Sequence, residues 1–227
     1  MSVSVSLTVA DSKRAFHSAF PYVIAPLHRR LVDELLVELH LLSHQKGFAA
    51  DGLFATGLTQ VFDSFSEGYR PAEQRQPLFL ALCSATGFDG AQLRSMADEA
   101  RAAVGHHSVD SVKGWLSSGG DGAPALIANL LQGVKRPDFH YSRLVAVGLL
   151  SLLQSAQGAD AIDPQALRSA AHEIGEAMGL IKDRVDKDLS LYAGNIEKMS
   201  QAVELMEETL AAERRRRERA AGETAAT

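Results

Sequence analysis

The chain has 227 residues, 46% of them hydrophobic and 22% charged, which is enough apolar material for one sizeable core and demands no second domain. Its formal net charge of -5 argues against a general nucleic-acid binder, because neutralising phosphates needs a basic surface and the only dense basic run lies at the far C-terminus. The single cysteine, Cys83, excludes an internal disulfide and fits a reducing compartment.

At the N-terminus, Val3, Val5 and Leu7 form at most a frayed edge strand. The run MSVSVSLTVADSKRAF has no apolar core after a basic start and no Arg- and Ser-rich leader, so a bacterial cytoplasmic protein is expected. Thr8 and Asp11 have cap spacing and predict a short first helix, ended by Pro21. Pro26 then opens the most regular amphipathic stretch, PLHRRLVDELLVELHLLS. Leu27, Leu31, Leu35, Leu39 and Leu42 recur at three- and four-residue steps, and Val32 and Leu36 widen the stripe, as in a helix at the middle of a bundle. Its polar remainder reads as an ion ladder, Arg29 to Asp33 and Arg30 to Glu34 to Glu38.

Gly47 breaks that helix, and Leu53, Gly57, Leu58, Val61, Phe62 and Phe65 make the next stripe, closed by Gly68. Pro71 starts a further helix through Leu78 and Cys83; Gly87 stops it, and Asp89 caps an alanine-rich helix to Val104. Residues 105–129 weaken into short helices around Trp115 and Leu126, joined by SSGGDG at 117–122. That loop lacks both the preceding strand and the following Gly-Lys-Ser/Thr of a phosphate cradle, so it reads as a connector. Arg136-Pro137-Asp138 is a turn, and Tyr141, Leu144, Val145, Leu149, Leu152 and Leu153 form a helix that completes the core. Its Gly148 lets another helix approach closely. Asp163-Pro164 begins an alanine-rich helix that Gly179 interrupts.

Beyond Gly179, Val185, Leu189, Tyr192, Ile196, Met199, Val203, Met206 and Leu210 alternate steps of four and three in a strict heptad seam. The seam is about 38 Å long at the α-helical rise. Its first half suits core packing and contact with a partner equally; its second half, where charge density rises, is expected to overshoot the body and stay exposed. Arg214, Arg215, Arg216, Arg217 and Arg219 end the arm. They read as a solvated helix end paired with Glu213 and Glu218, or as a group drawn to an anionic membrane surface. The fold is therefore expected to be all-α: a helical bundle over 1–179, a long coiled-coil-like C-terminal helix over 180–219, and a disordered tail over 220–227.

No catalytic or metal-binding pattern is present. His40 and His44 share a helical face but lack HExxH spacing and read as surface or helix-end histidines. His172-Glu173 is followed by Glu176 where a second ligand histidine would stand. Cys83 has no basic residue close in sequence, and there is no Gly-x-Ser-x-Gly. The Glu34 and Glu38 pair reads as part of the ion ladder. No enzyme activity, metal or cofactor is expected.

Five segments carry a resemblance: TVADSKRAF (8–16), the 26–43 stretch, FATGLTQVFDSF (54–65), GYRP (68–71) and LFLALC (78–83). Together they resemble the thylakoid formation protein family of cyanobacteria and plastids, densely through Cys83 and afterwards by helix order and the long charged C-terminal helix. Ala50-Asp51-Gly52 departs from the aromatic-Asp-Pro expected before the next helix, which bears on the rigidity of that turn. The resemblance implies a non-enzymatic accessory factor for thylakoid membrane biogenesis and photosystem II assembly and repair. It further implies association with, and support of, the FtsH protease complex, with photosystem II subunits as further candidate partners. The implied location is peripheral, at the cytoplasmic face of the thylakoid membrane.

On that reading, Leu189, Tyr192, Ile196, Met199, Val203, Met206 and Leu210 of the arm and Arg29, Arg30, Glu34 and Glu38 of the bundle are candidate docking residues. The arginine cluster would hold the chain near the membrane. The alternative is a self-associating coiled-coil scaffold at the thylakoid membrane without direct protease contact.

Overall fold

The computed structural model describes residues 7–225, and every regular element among them is helical. Val3 and Val5 lie outside the described residues. The first helix, α1 (Val9–Ala19), opens on a reciprocal cap: the Asp11 N–H donates to Thr8 Oγ1 at 3.2 Å and the Thr8 N–H donates to Asp11 Oδ2 at 2.9 Å. The Thr8 hydroxyl, donating to Asp11 Oδ2 at 2.7 Å, and then the Thr8 N–H hold the Asp11 carboxyl below its ordinary pKa. Next come α2 (Pro26–Ser43), with proline in its first turn, and α3 (Gly52–Phe65). At the departure from the family pattern, the Asp51 carboxylate caps α3 by accepting from the Phe54 N–H at 2.9 Å, so the turn is held without the proline.

A 3-10 turn (Ala72–Gln74) leads into α4 (Arg75–Ala85), and Asp89 caps α5 (Gly90–Val104). The weakly patterned 105–129 stretch yields α6 (Val109–Ser118) and the start of α7 (Ala125–Val134). Then follow α8 (Arg143–Gln154), α9 (Pro164–Ala177) and α10 (Lys182–Ala225).

The centre of the bundle is α3, not α2. Every residue from Leu53 to Thr59 is buried, whereas α2 exposes Arg29, Arg30, Asp33 and Leu41 along one side. Small residues cause the difference. A Cβ placed on Gly57 would stand 1.8 Å from the Leu144 carbonyl oxygen, and one on Gly148 would stand 2.3 Å from the Leu53 carbonyl oxygen, so α3 and α8 meet backbone to backbone. The two threonines buried beside this contact satisfy their hydroxyls locally, Thr56 donating to the Gly52 carbonyl and Thr59 to that of Ala55. Arg101 of α5 closes over them, donating to Thr59 Oγ1 at 2.8 Å and to the Thr56 carbonyl at 3.2 Å.

The last helix has 44 residues, about 66 Å at the helical rise, and changes character along its length. Val185 and Leu189 are buried in the cluster formed with α8 and α9. The boundary drawn after Gly179 therefore does not separate core from arm. Tyr192 is half-buried, its hydroxyl 3.2 Å from Ser64 Oγ and its ring against Phe65. Ile196, Met199, Val203 and Met206 are also half-buried. The Val203 methyl lies 2.5 Å from where a Gly68 Cβ would be, so only a glycine in the GYRP turn admits it. Arg70 of that turn donates to Glu207 at 2.8 Å. Past Glu207 every residue through Glu218 is exposed. The helix continues to Ala225, beyond the start expected for a disordered tail at 220; residues 226–227 lie outside the described residues.

Candidate docking site

α2, packed on α1 and α4, and α10, packed on α8 and α9, face each other across residues of α3 and α8, and a trough runs between them. Its inner part holds about 250 Å³ above an apolar floor of Leu27, Leu31, Val61, Phe65, Val147 and Met199. A wider outer hollow of about 670 Å³, bordered by Val37, Leu41 and Tyr141, shares Glu34, Arg143 and Asp188 with it. Local sequence explains the α2 wall. Leu27, Leu31, Glu34, Glu38 and Leu41 step by four, three, four and three, so one stripe carries leucines at both ends and carboxylates in the middle.

An ionic bar crosses the trough at those carboxylates. Arg143, at the start of α8, donates to Glu38 Oε2 at 2.7 and 2.8 Å, and Arg30 Nε donates to Glu34 Oε1 at 2.7 Å. Burial works against the Arg143 charge, but Glu38, with Glu34 and Asp188, outweighs it and raises the pKa. The Tyr141 hydroxyl donates to Asp188 at 2.9 Å, and the Arg184 guanidinium stands 5.5 Å from the Tyr141 ring centre. Burial, followed by the bond to Asp188, pushes the Tyr141 pKa up and keeps it a neutral donor.

Charge shifts along the trough: Glu34, Arg143 and Asp188 border both parts, Arg30 and Lys198 add positive charge to the inner part alone, and the outer hollow's own charges balance. The inner part is lined by three cations, Arg30, Arg143 and Lys198, against two carboxylates, Glu34 and Asp188. The outer hollow has four carboxylates, Asp33, Glu34, Glu38 and Asp188, against Lys13, Arg143 and Arg184.

Five of the residues expected to dock converge here: Arg30, Glu34 and Glu38 from α2, and Tyr192 and Met199 from α10. Arg29 does not join them. Consecutive residues point about 100° apart around a helix, and Arg29 lines a separate hollow against α1; its expected partner Asp33, which borders both hollows, pairs with Lys13 at 3.5 Å. Leu189 is 2% exposed and belongs to the core, so it offers no docking surface. Ile196, Val203 and Met206 are half-covered by the body, while Leu210 and Arg214–Arg217 lie beyond it, exposed, and Arg219 falls on the same helix. Sequence reasoning missed Arg143, Tyr141, Asp188 and Lys198. Arg143 and Glu38 are 105 positions apart, and no local pattern links them.

One histidine differs from its expected setting. His44 is exposed at the end of α2, but His40 is buried, its Nδ1 2.9 Å from Ser12 Oγ, and burial together with the neighbouring His44 lowers its pKa. His28 is buried against Tyr69 and is shifted down by burial. Burial pushes the Cys83 thiol up to about 12, the opposite of an activated nucleophile. Among the described residues no three His, Cys, Asp or Glu side chains gather as a metal site.

Fold and surface define the class: an all-helical bundle whose long C-terminal helix is half covered by its own body and walls a charged, apolar-floored trough. The chain belongs to the thylakoid formation protein family, whose model matches residues 8–221, well past the densely similar segments that end at Cys83. It is similar to Protein Thf1 of Prochlorococcus marinus (strain MIT 9313), 55% identical over 212 residues that cover 93% of this chain and 87% of that one. Protein Thf1 of Synechococcus sp. (strain CC9605) is 52% identical over 223 residues, covering 96% and 95%. A solved structure of Psb29 matches with a TM-score of 0.79 at 35% identity, over 93% of this chain and 98% of that one.

Proposed function

We propose that this chain is a non-enzymatic accessory factor for thylakoid membrane biogenesis and photosystem II assembly and repair. It acts by docking to FtsH proteases at the cytoplasmic face of the thylakoid membrane and supporting their accumulation. Support comes from its membership of the thylakoid formation family and, above all, from one observation: the trough gathers α2 and α10 residues into a single accessible surface with an apolar floor. Among the described residues no helix is long and apolar enough to cross a membrane. Arg214–Arg217 and Arg219 supply a peripheral attachment worth about 1 kcal/mol per basic residue near an anionic surface.

The test must spare the core. Cutting after Gly179 would also remove the buried Val185 and Leu189, so the cleaner variants are Leu31→Asp with Met199→Glu in the trough, and deletion of residues 209–227. Co-purification of FtsH with the tagged full chain is expected to fall at least tenfold in the double variant, with helicity by circular dichroism unchanged. Undiminished co-purification would remove the trough from the mechanism. The deletion is expected to weaken membrane recovery while sparing FtsH contact.

Self-association is a second reading, favoured by Leu205, 66% exposed, and Leu210 on the helix end that overshoots the body. Sedimentation of the full chain as a monomer at micromolar concentration would discard it.

A further inference from the structure

We infer that the trough seats one amphipathic α-helix of a partner protein, lying antiparallel to α2 and parallel to α10, with basic residues in its N-terminal half and acidic residues in its C-terminal half. This deepens the docking reading above and rests on it.

Length comes first. The α2 wall from Leu27 to Leu41 is about 21 Å, close to four helical turns. Apolar surface sits at the two ends of that span, Leu31, Phe65 and Met199 at one and Val37, Leu41 and Tyr141 at the other. Leu31 and Leu41 are ten residues apart, a span of about 15 Å, so two anchor groups about eleven residues apart, which fall within about 20° of each other around a helix, would reach both. Between them the Glu38–Arg143 bar requires a small or polar residue, since apolar side chains there would strip water from charges without replacing it. An acyl chain is a poor occupant for the same reason, because it needs a continuous apolar channel and this one is interrupted.

Direction follows from charge. The inner part, made the more positive end by Lys198 and Arg30, meets the negative end of a helix dipole, and the outer hollow, which lacks them and holds Asp33, Glu34, Glu38 and Asp188, meets the positive end. The outer part lies at the Arg184 and Asp188 turns of α10 and the inner part at Lys198 to Ala202, so the partner helix runs with α10.

The test uses two synthetic 18-residue peptides with capped ends and identical apolar positions. One carries lysines in the first half and glutamates in the second, and the other has the order reversed. The lysine-first peptide is the poorer helix in isolation, because its charges oppose its own dipole, so a preference for it cannot arise from peptide helicity.

By fluorescence anisotropy against the full chain at low salt, the lysine-first peptide is expected to bind at least tenfold tighter. That preference is expected to shrink as ionic strength rises, and Lys198→Glu is expected to narrow it. Leu31→Asp is expected to abolish binding of both peptides. Equal affinity for the two orders, no binding by either, or indifference to Leu31→Asp would overturn the inference. The outcome separates from the proposed function: loss of FtsH by the trough variants without peptide discrimination keeps the docking reading and sinks this one. Peptide discrimination with FtsH retained does the reverse.

Discussion

The α3–α8 crossing and the outer half of α10 are built from similar hydrophobic repeats and end in opposite states. At the crossing, Gly57 and Gly148 let two backbones touch, and the leucines around them are sealed. Along α10 from Ile196 to Met206 the seam is covered on one side only, and the body ends before the helix does. Burial thus tracks how much of the body lies opposite, not the regularity of the apolar stripe. A stripe closes where small residues let neighbours pack from several sides, and stays open where, as at Val203 on Gly68, the body reaches one side only.

The largest expected effect breaks the sealed side. Gly57→Val drives a side chain into the Leu144 backbone, which cannot yield as a flexible side chain would. It should cost at least the upper end of the ~1–3 kcal/mol typical of overpacking, seen as a fall in the urea midpoint. Leucine-to-alanine changes then sharpen the contrast between the regions. Leu144→Ala, fully buried, should lose about 2–5 kcal/mol, and Leu205→Ala, on the exposed arm, should stay within about 0.5 kcal/mol.

Acid should act on the buried histidines of α2. His28 and His40 are both held below the ordinary histidine value of 6.5, mainly by burial. As pH falls through 6.5 the unfolded chain takes up protons that the folded chain refuses, so their contribution to stability is full above that pH and lost below it. Melting temperature is therefore expected to drop between pH 7.5 and 5.5. The drop should shrink in His40→Gln, whose side chain can still bond Ser12. A flat profile in the parent chain would contradict the buried, neutral assignment.

The smallest effect concerns the last tie between arm and body. Arg70→Ala removes the exposed ion pair with Glu207 and should cost only about 0.2–1 kcal/mol. Amide exchange is expected to quicken in residues 204–210 and to leave 185–192 unchanged, which would place the division between core and arm within α10.

Much of the local architecture was legible in the residues. The Thr8–Asp11 cap, the Asp89 cap, the proline starts at 26 and 164 and the close approach at Gly148 all follow from short-range chemistry, and each is found where the pattern puts it. Less legible was which helix lies at the centre. Leucine content favours α2, but α3 wins because glycine and threonine allow neighbours to pack from all sides, an advantage that hydrophobicity alone does not register. Of the candidate docking residues, Arg30, Glu34, Glu38, Tyr192 and Met199 share one trough, while Arg29 points elsewhere and Leu189 is core.

By itself, the sequence determined that this chain is helical, where most helices start and stop, and which family it resembles, because caps, breakers and periodicity act over a few residues. The tertiary structure alone decided that Arg143 would meet Glu38, that His40 would be sealed beneath Ser12, and that α2 and α10 would face each other across α3 and α8. Those outcomes depend on how closely non-adjacent backbones approach, and that distance is set by the packed side chains of several helices together.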